Sequence, residues 1–135
     1  MTNRQIHLIQ ESWERMKPVS RSLIARFYQD LFDEAPEYRE MFKEDLAVQS
    51  AKMAAMLQFI VGKLSRFEDI LYDIRALGES HQGYRLDQAA YDITGRCLLQ
   101  SMAETIPEYW DSETEQAWLL AYNEIVAAMH VPMKS

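Results

Sequence analysis

The apolar residues of this chain return at three- and four-residue steps through one segment after another, and that period restricts its fold more than any other feature. Ile6, Ile9, Trp13 and Met16 share a stripe after Thr2 and Asn3, and the stripe stops at Pro18, which cannot continue a helix. A second stripe, from about Val19 to Glu34, gathers Ile24, Phe27 and Leu31 beside Tyr28 and Phe32 before Pro36 turns the chain. Tyr38 to Phe42 reads as a short helical turn. A longer helix, about Leu46 to Leu64, carries Met53, Met56, Leu57, Ile60 and Leu64, and a shorter one carries Ile70, Ile74, Leu77 and then His81. Asp87 is a candidate N-cap for a helix through Tyr91, Gly95, Leu98, Met102 and Ile106, closed by Pro107. Ser112 with Glu115 matches a capping box opening a last helix through Trp118, Ala121, Ile125 and Met129. No segment alternates as a strand would. The expectation is an all-α chain of about six main helices with short turns, forming a single domain over residues 1–135.

Composition agrees with that reading. Only four Gly and four Pro interrupt 135 residues, and a domain of this size hides roughly two-thirds of its unfolded surface. The net charge of −7 repels phosphate backbones and anionic membrane surfaces, so neither nucleic acid nor membrane is an expected partner. A single cysteine, Cys97, allows no internal disulfide and suits a reducing compartment, and no CxxCH run offers thioether attachment for a haem. The N-terminal stretch is polar and amphipathic, unlike a signal peptide, and no apolar run approaches the roughly 20 residues a membrane helix requires. A soluble cytoplasmic protein is expected.

Few residues can carry chemistry. Zinc would need a closed set of three or four donors, and one cysteine with three scattered histidines does not supply it. Glu79 stands two residues before His81, the wrong spacing for the Glu-x-x-His of di-iron bundles. Phosphate-cradling glycine loops and the GxSxG elbow are absent from the sequence. His7 falls on the polar face of the first helix and His130 near the C-terminus. His81 extends an apolar stripe one turn beyond Leu77, where a histidine is either a hydrogen-bonded core residue or a ligand. A lone histidine facing apolar walls suits haem, which takes one axial bond from protein and otherwise wants hydrophobic surroundings.

Four stretches resemble the globin family, specifically the single-domain bacterial haemoglobins and the globin half of flavohaemoglobins. They are IQESWERM, FYQDLFDEAPEYREMF, LGESHQGY, and YDITGRCLL followed by EQAWLLAY, in the family's order and at its distances from about Ile6 to Ile125. The resemblance implies a globin fold with helices packed around a pocket for haem b, iron protoporphyrin IX. It makes His81 the proximal iron ligand and Phe42 the aromatic packed flat on the porphyrin, with Met53, Leu77 and Tyr91 as further packing residues. Tyr28 and Gln49 fall at distal positions where they would donate hydrogen bonds to a bound gas, against a plain reading as a boundary tyrosine and a solvated glutamine. Lys52 would pair with a haem propionate or simply be solvated. The carbonyl of Leu77 and the hydroxyl of Ser80 are candidate acceptors for the second ring N–H of His81.

What the resemblance implies for activity is reversible binding of O2, and of NO, at a pentacoordinate haem. The rival activities are a nitric oxide dioxygenase, which would need an external reductase, and a gas or redox sensor. Two departures stand out. Met133 occupies the place of a glutamate that links through a tyrosine, here Tyr91, to the proximal histidine, and the segment between Phe42 and the long helix is shorter than in bacterial members. A monomer and a homodimer fit equally well.

Overall fold

The computed structural model describes residues 1–42, 45–82 and 87–129, with residues 79–82 described by backbone alone. Six helices carry the described fold: α1 (Asn3–Met16), α2 (Ser20–Glu34), α3 (Leu46–Gly62), α4 (Leu71–Gln82), α5 (Gln88–Thr105) and α6 (Ser112–Met129). Short 3-10 segments link several of them, at Lys17–Val19, Pro36–Met41, Leu64–Ile70 and Pro107–Tyr109. Three of the four contain the prolines that sequence reading took as breaks, because a ring that fixes φ and removes an N–H is tolerated at the first turn.

Helix starts follow side-chain chemistry. Thr2 and Gln5 form a reciprocal capping box on α1: the Gln5 N–H donates to Thr2 Oγ1 at 3.1 Å and the Thr2 N–H to Gln5 Oε1 at 2.8 Å. Asp87 caps α5 as expected, accepting from the Ala90 N–H at 2.9 Å. The box expected from Ser112 and Glu115 does not form. Asp111, one residue earlier, is the acceptor for the Thr114 N–H at 2.8 Å, and the Glu115 carboxylate instead accepts from Trp110 Nε1 at 3.1 Å. Asp111 stands at the position from which a side-chain oxygen reaches the orphan N–H groups, and the bonds from Thr114 hold its carboxyl below the ordinary pKa. The long helix also ends earlier than expected: after Gly62 the Lys63 N–H turns back to the Ile60 and Val61 carbonyls, so Leu64 opens the next 3-10 segment.

Helix α2 packs on α3 and α5, while α6 packs on α1, α4 and α5. The core contains Trp13, Phe27, Ile9, Met16, Ile24 and Met102, each essentially without solvent contact. Around α6 the fit is close at three places. Trp118 Nε1 donates to Ser12 Oγ on α1 at 2.8 Å, and that hydroxyl donates onward to the Leu8 carbonyl at 2.7 Å. On α5, Gly95 leaves a notch for the Tyr122 ring, where an added Cβ would meet Cε2 at 2.6 Å. On α4, a Cβ at Gly78 would collide with the carbonyl of Met129 itself, so the two backbones touch with no side chain between them.

Candidate functional site

The site begins on α2. Tyr28 and Phe32, one turn apart, are buried at 4% and 8% exposure, and their rings stack with centroids 5.8 Å apart. Pro36 ends the helix, and the 3-10 turn it initiates closes with the Phe42 N–H on the Arg39 carbonyl at 3.2 Å. That return brings the Phe42 ring edge-on to Tyr28 at 5.4 Å and within 5.6 Å of Phe32. Three aromatics from a single stretch thus make one apolar wall.

Helix α3 supplies the polar component. Its N-cap, Asp45, starts the helix so that Gln49 stands in the first turn and its Nε2 reaches within 3.5 Å of Tyr28 Oη. The two proposed distal residues, 21 positions apart in sequence, are therefore brought together beside Phe42. Met53, one turn beyond Gln49, is half-buried against the core, and Lys52 is exposed. Met53 thus sits in apolar surroundings while the Lys52 side chain has access to solvent.

Helices α4 and α5 carry the remaining candidates. His81 lies in the last turn of α4, and its side chain lies outside the described ones, as do Ser80, Glu79, His130 and Met133. Leu77, one turn before His81, is half-buried against the core. Tyr91 is buried on α5, where burial raises its phenol above the ordinary pKa, and its backbone carbonyl accepts from Tyr122 Oη at 2.6 Å. Burial pushes the Tyr122 phenol up as well, so it stays a protonated donor through neutral pH. His7 is a surface residue 3.9 Å from Glu11, in keeping with the polar face expected for it.

Tyr122 and Gly95 are the residues whose roles the motifs alone did not disclose. Both were visible as family signatures, yet only the fold shows that one signature fills the notch left by the other. Arg39, over the Phe32 ring at 5.7 Å, adds a cation at the outer edge of the aromatic wall.

The donor chemistry fits haem. Among the described residues no three His, Cys, Asp or Glu side chains gather as a metal site. A group that brings its own equatorial ligands asks only for one axial histidine, apolar walls and a few donors, and the aromatic wall with the Tyr28–Gln49 pair meets the last two needs.

Comparison with known proteins agrees. The family model for Globin matches residues 25–129. The chain belongs to the globin family. It is similar to an anaerobic nitrite reductase of Casuarina glauca, with 30% identity over 98% of this chain and 92% of that one. An anaerobic nitrite reductase of Oryza sativa subsp. indica is 27% identical over 96% of this chain and 94% of its own length. The fold of this globin matches that of a bacterial globin from Campylobacter jejuni with a TM-score of 0.82, at 23% identity over 95% of this chain and 93% of the other. It matches the neuroglobin from the photosymbiotic marine acoel Symsagittifera roscoffensis at 0.84, with 17% identity over 97% and 98%. No helix among the described residues is long and apolar enough to cross a membrane.

Proposed function

We propose that this globin, acting as a single domain, holds a b-type haem through His81 and binds dioxygen, and nitric oxide, reversibly. When bound, the haem would supply an iron with one axial position open to a diatomic gas. Phe42 would pack on the macrocycle, with Met53, Leu77 and Tyr91 adding to the apolar lining and the exposed Lys52 pairing with a propionate. Tyr28 Oη and Gln49 Nε2 each hold a proton that can be donated to a ligand carrying partial negative charge. A hydrogen bond to a charged group contributes about 1.5–3 kcal/mol, which would slow ligand loss by roughly ten- to more than a hundredfold. The observation carrying this reading is the approach of Tyr28 to Gln49 at 3.5 Å beside the Phe42 ring.

The names of the Casuarina and Oryza relatives favour a second reading, reduction of nitrite to nitric oxide and water, which consumes one electron and two protons and so needs an external reductant. Conversion of nitric oxide to nitrate would likewise need a separate reductase. One experiment tests the common basis of all three. Purified protein titrated with haem is expected to take up one equivalent with an intense Soret band, and His81→Ala to lose that band or to hold haem at least tenfold more weakly. A wild-type chain that develops no Soret band sinks the haem reading.

A further inference from the structure

Helix α3 is apolar on both of its sides. Its 17 residues carry one charge, Lys52, and no carboxylate, in a chain that holds 21 Asp and Glu. One side is given to the core, where Ser50, Ala54, Ile60 and Val61 are buried. At about 100° per residue, Val48, Lys52, Ala55 and Phe59 fall within a stripe roughly 60° wide on the opposite side. All four are exposed, Val48 at 46% and Phe59 at 44%. Met53 stands about 130° around the helix from the middle of that stripe, so a haem lying beside Met53 leaves the stripe bare. The exposed Leu119 of α6 makes the contrast, with Glu115 and Asn123 one turn to either side of it. Single exposed apolar residues are ordinary, whereas a contiguous apolar stripe marks a surface that something covers.

The spacing of the stripe suits a second copy of this chain. Positions 48, 52, 55 and 59 are separated by four, three and four residues, a series that reads the same in both directions. Two copies of α3 crossing antiparallel about a two-fold axis between residues 53 and 54 therefore bring Val48 onto the partner's Phe59 and Lys52 onto the partner's Ala55. Large apolar side chains meet at each end. In the middle the methylene stem of Lys52 lies over a methyl group with its ammonium outside the contact. Charge points the same way: two chains of net charge −7 repel, and along α3 they approach with no carboxylate on the contacting stripe. An anionic lipid surface fits less well, because a lone lysine is too little to hold so acidic a chain against it.

We propose that the outward face of α3 is the interface of a symmetric, weakly associating homodimer, in which Val48 of each copy packs on Phe59 of the other. A helix of 17 residues is about 25 Å long, so the contact falls short of the roughly 800 Å² per partner of a stable interface and the dimer exchanges with monomer. The dimer needs no haem and stands apart from the gas-binding reading.

Sedimentation equilibrium of the purified protein, with and without haem, is expected to give a dissociation constant on the order of 100 μM at about 0.15 M salt. Raising salt from about 0.05 to about 0.5 M should tighten it several-fold, because screening relieves the repulsion between like-charged chains. Val48→Glu and Phe59→Glu each place a carboxylate in the contact and should weaken association at least tenfold, while Leu119→Glu, at an apolar site of similar exposure, should leave it unchanged. If circular dichroism shows Phe59→Glu to be unfolded, Val48→Glu carries the test. The register is read by Ala55→Cys. The two copies of that position are offset by about 4.5 Å along the helix axis across the two-fold, within disulfide reach, so the oxidant diamide should link the dimer covalently. The native Cys97 is buried and does not compete. A wild type that stays monomeric to about 1 mM overturns the proposal, as does a dimer that Val48→Glu leaves intact or that Ala55→Cys fails to link.

Discussion

Helix α6 and the first half of α3 meet their neighbours in opposite ways. Around α6 the contacts are closed: indole onto hydroxyl, ring into glycine notch, backbone against backbone, with hydrogen bonds of 2.6–2.8 Å. In the α2–α3 seam the polar contact is stretched to 3.5 Å and the adjacent Ser50 hydroxyl is unpaired among the described residues. The residues of the first region hold helices in register, and those of the second close the gap between their helices less completely. Close contacts of this kind fix helices against one another, whereas a buried hydroxyl without a partner is an exception among native cores.

The difference can be broken most severely at Gly78. Gly78→Ala places a methyl group against the Met129 backbone, which has no rotamer by which to yield, and should destabilise the protein by roughly 3 kcal/mol in denaturant unfolding. A loss under about 1 kcal/mol would show that α6 is less tightly seated than described. Tyr28→Phe probes the other side. It should leave Tm within a few degrees of wild type while raising the oxygen off-rate by roughly tenfold or more, and an unchanged rate would move the donor role elsewhere.

The smallest effect is expected at the joint between the two regions. Glu34, at the end of α2, bonds both Arg96 and the Cys97 thiol of α5, the latter at 3.4 Å. Burial first, and then the Glu34 carboxylate, push Cys97 up from 9.0 to about 11. The folded state therefore keeps this proton more tightly than the unfolded chain, so its contribution is intact below pH 9 and is lost as pH rises from 9 toward 11. Comparing the alkaline stability of Cys97→Ala with wild type should show a flatter decline across that window. Parallel curves would remove the thiol from the account.

Helices were legible because burial of one stripe is a local pattern. Trp13, Phe27, Leu31 and Trp118 occupy the core as their spacing required. The α6 cap was misassigned because Ser112 and Asp111 are both acceptable caps, and only geometry separates them. Tyr28, Gln49 and Phe42 could be named from the family resemblance, but their convergence depends on the turn at Pro36 and the start of α3, which no local pattern encodes. Ser50 carried no signal at all: a serine beside a glutamine in a helix is ordinary until burial and the missing partner are seen together.

The bare contact at Gly78 also governs how α4 can move. Two backbones pressed together at one point act as a fulcrum, resisting sliding and leaving tilt as the cheap motion. His81 stands three residues beyond it, about 4.5 Å along the axis, so a small tilt of α4 moves its last turn through a short lever arm. A displacement of the last turn of α4 is thereby opposed at the Met129 carbonyl, at the far end of α6.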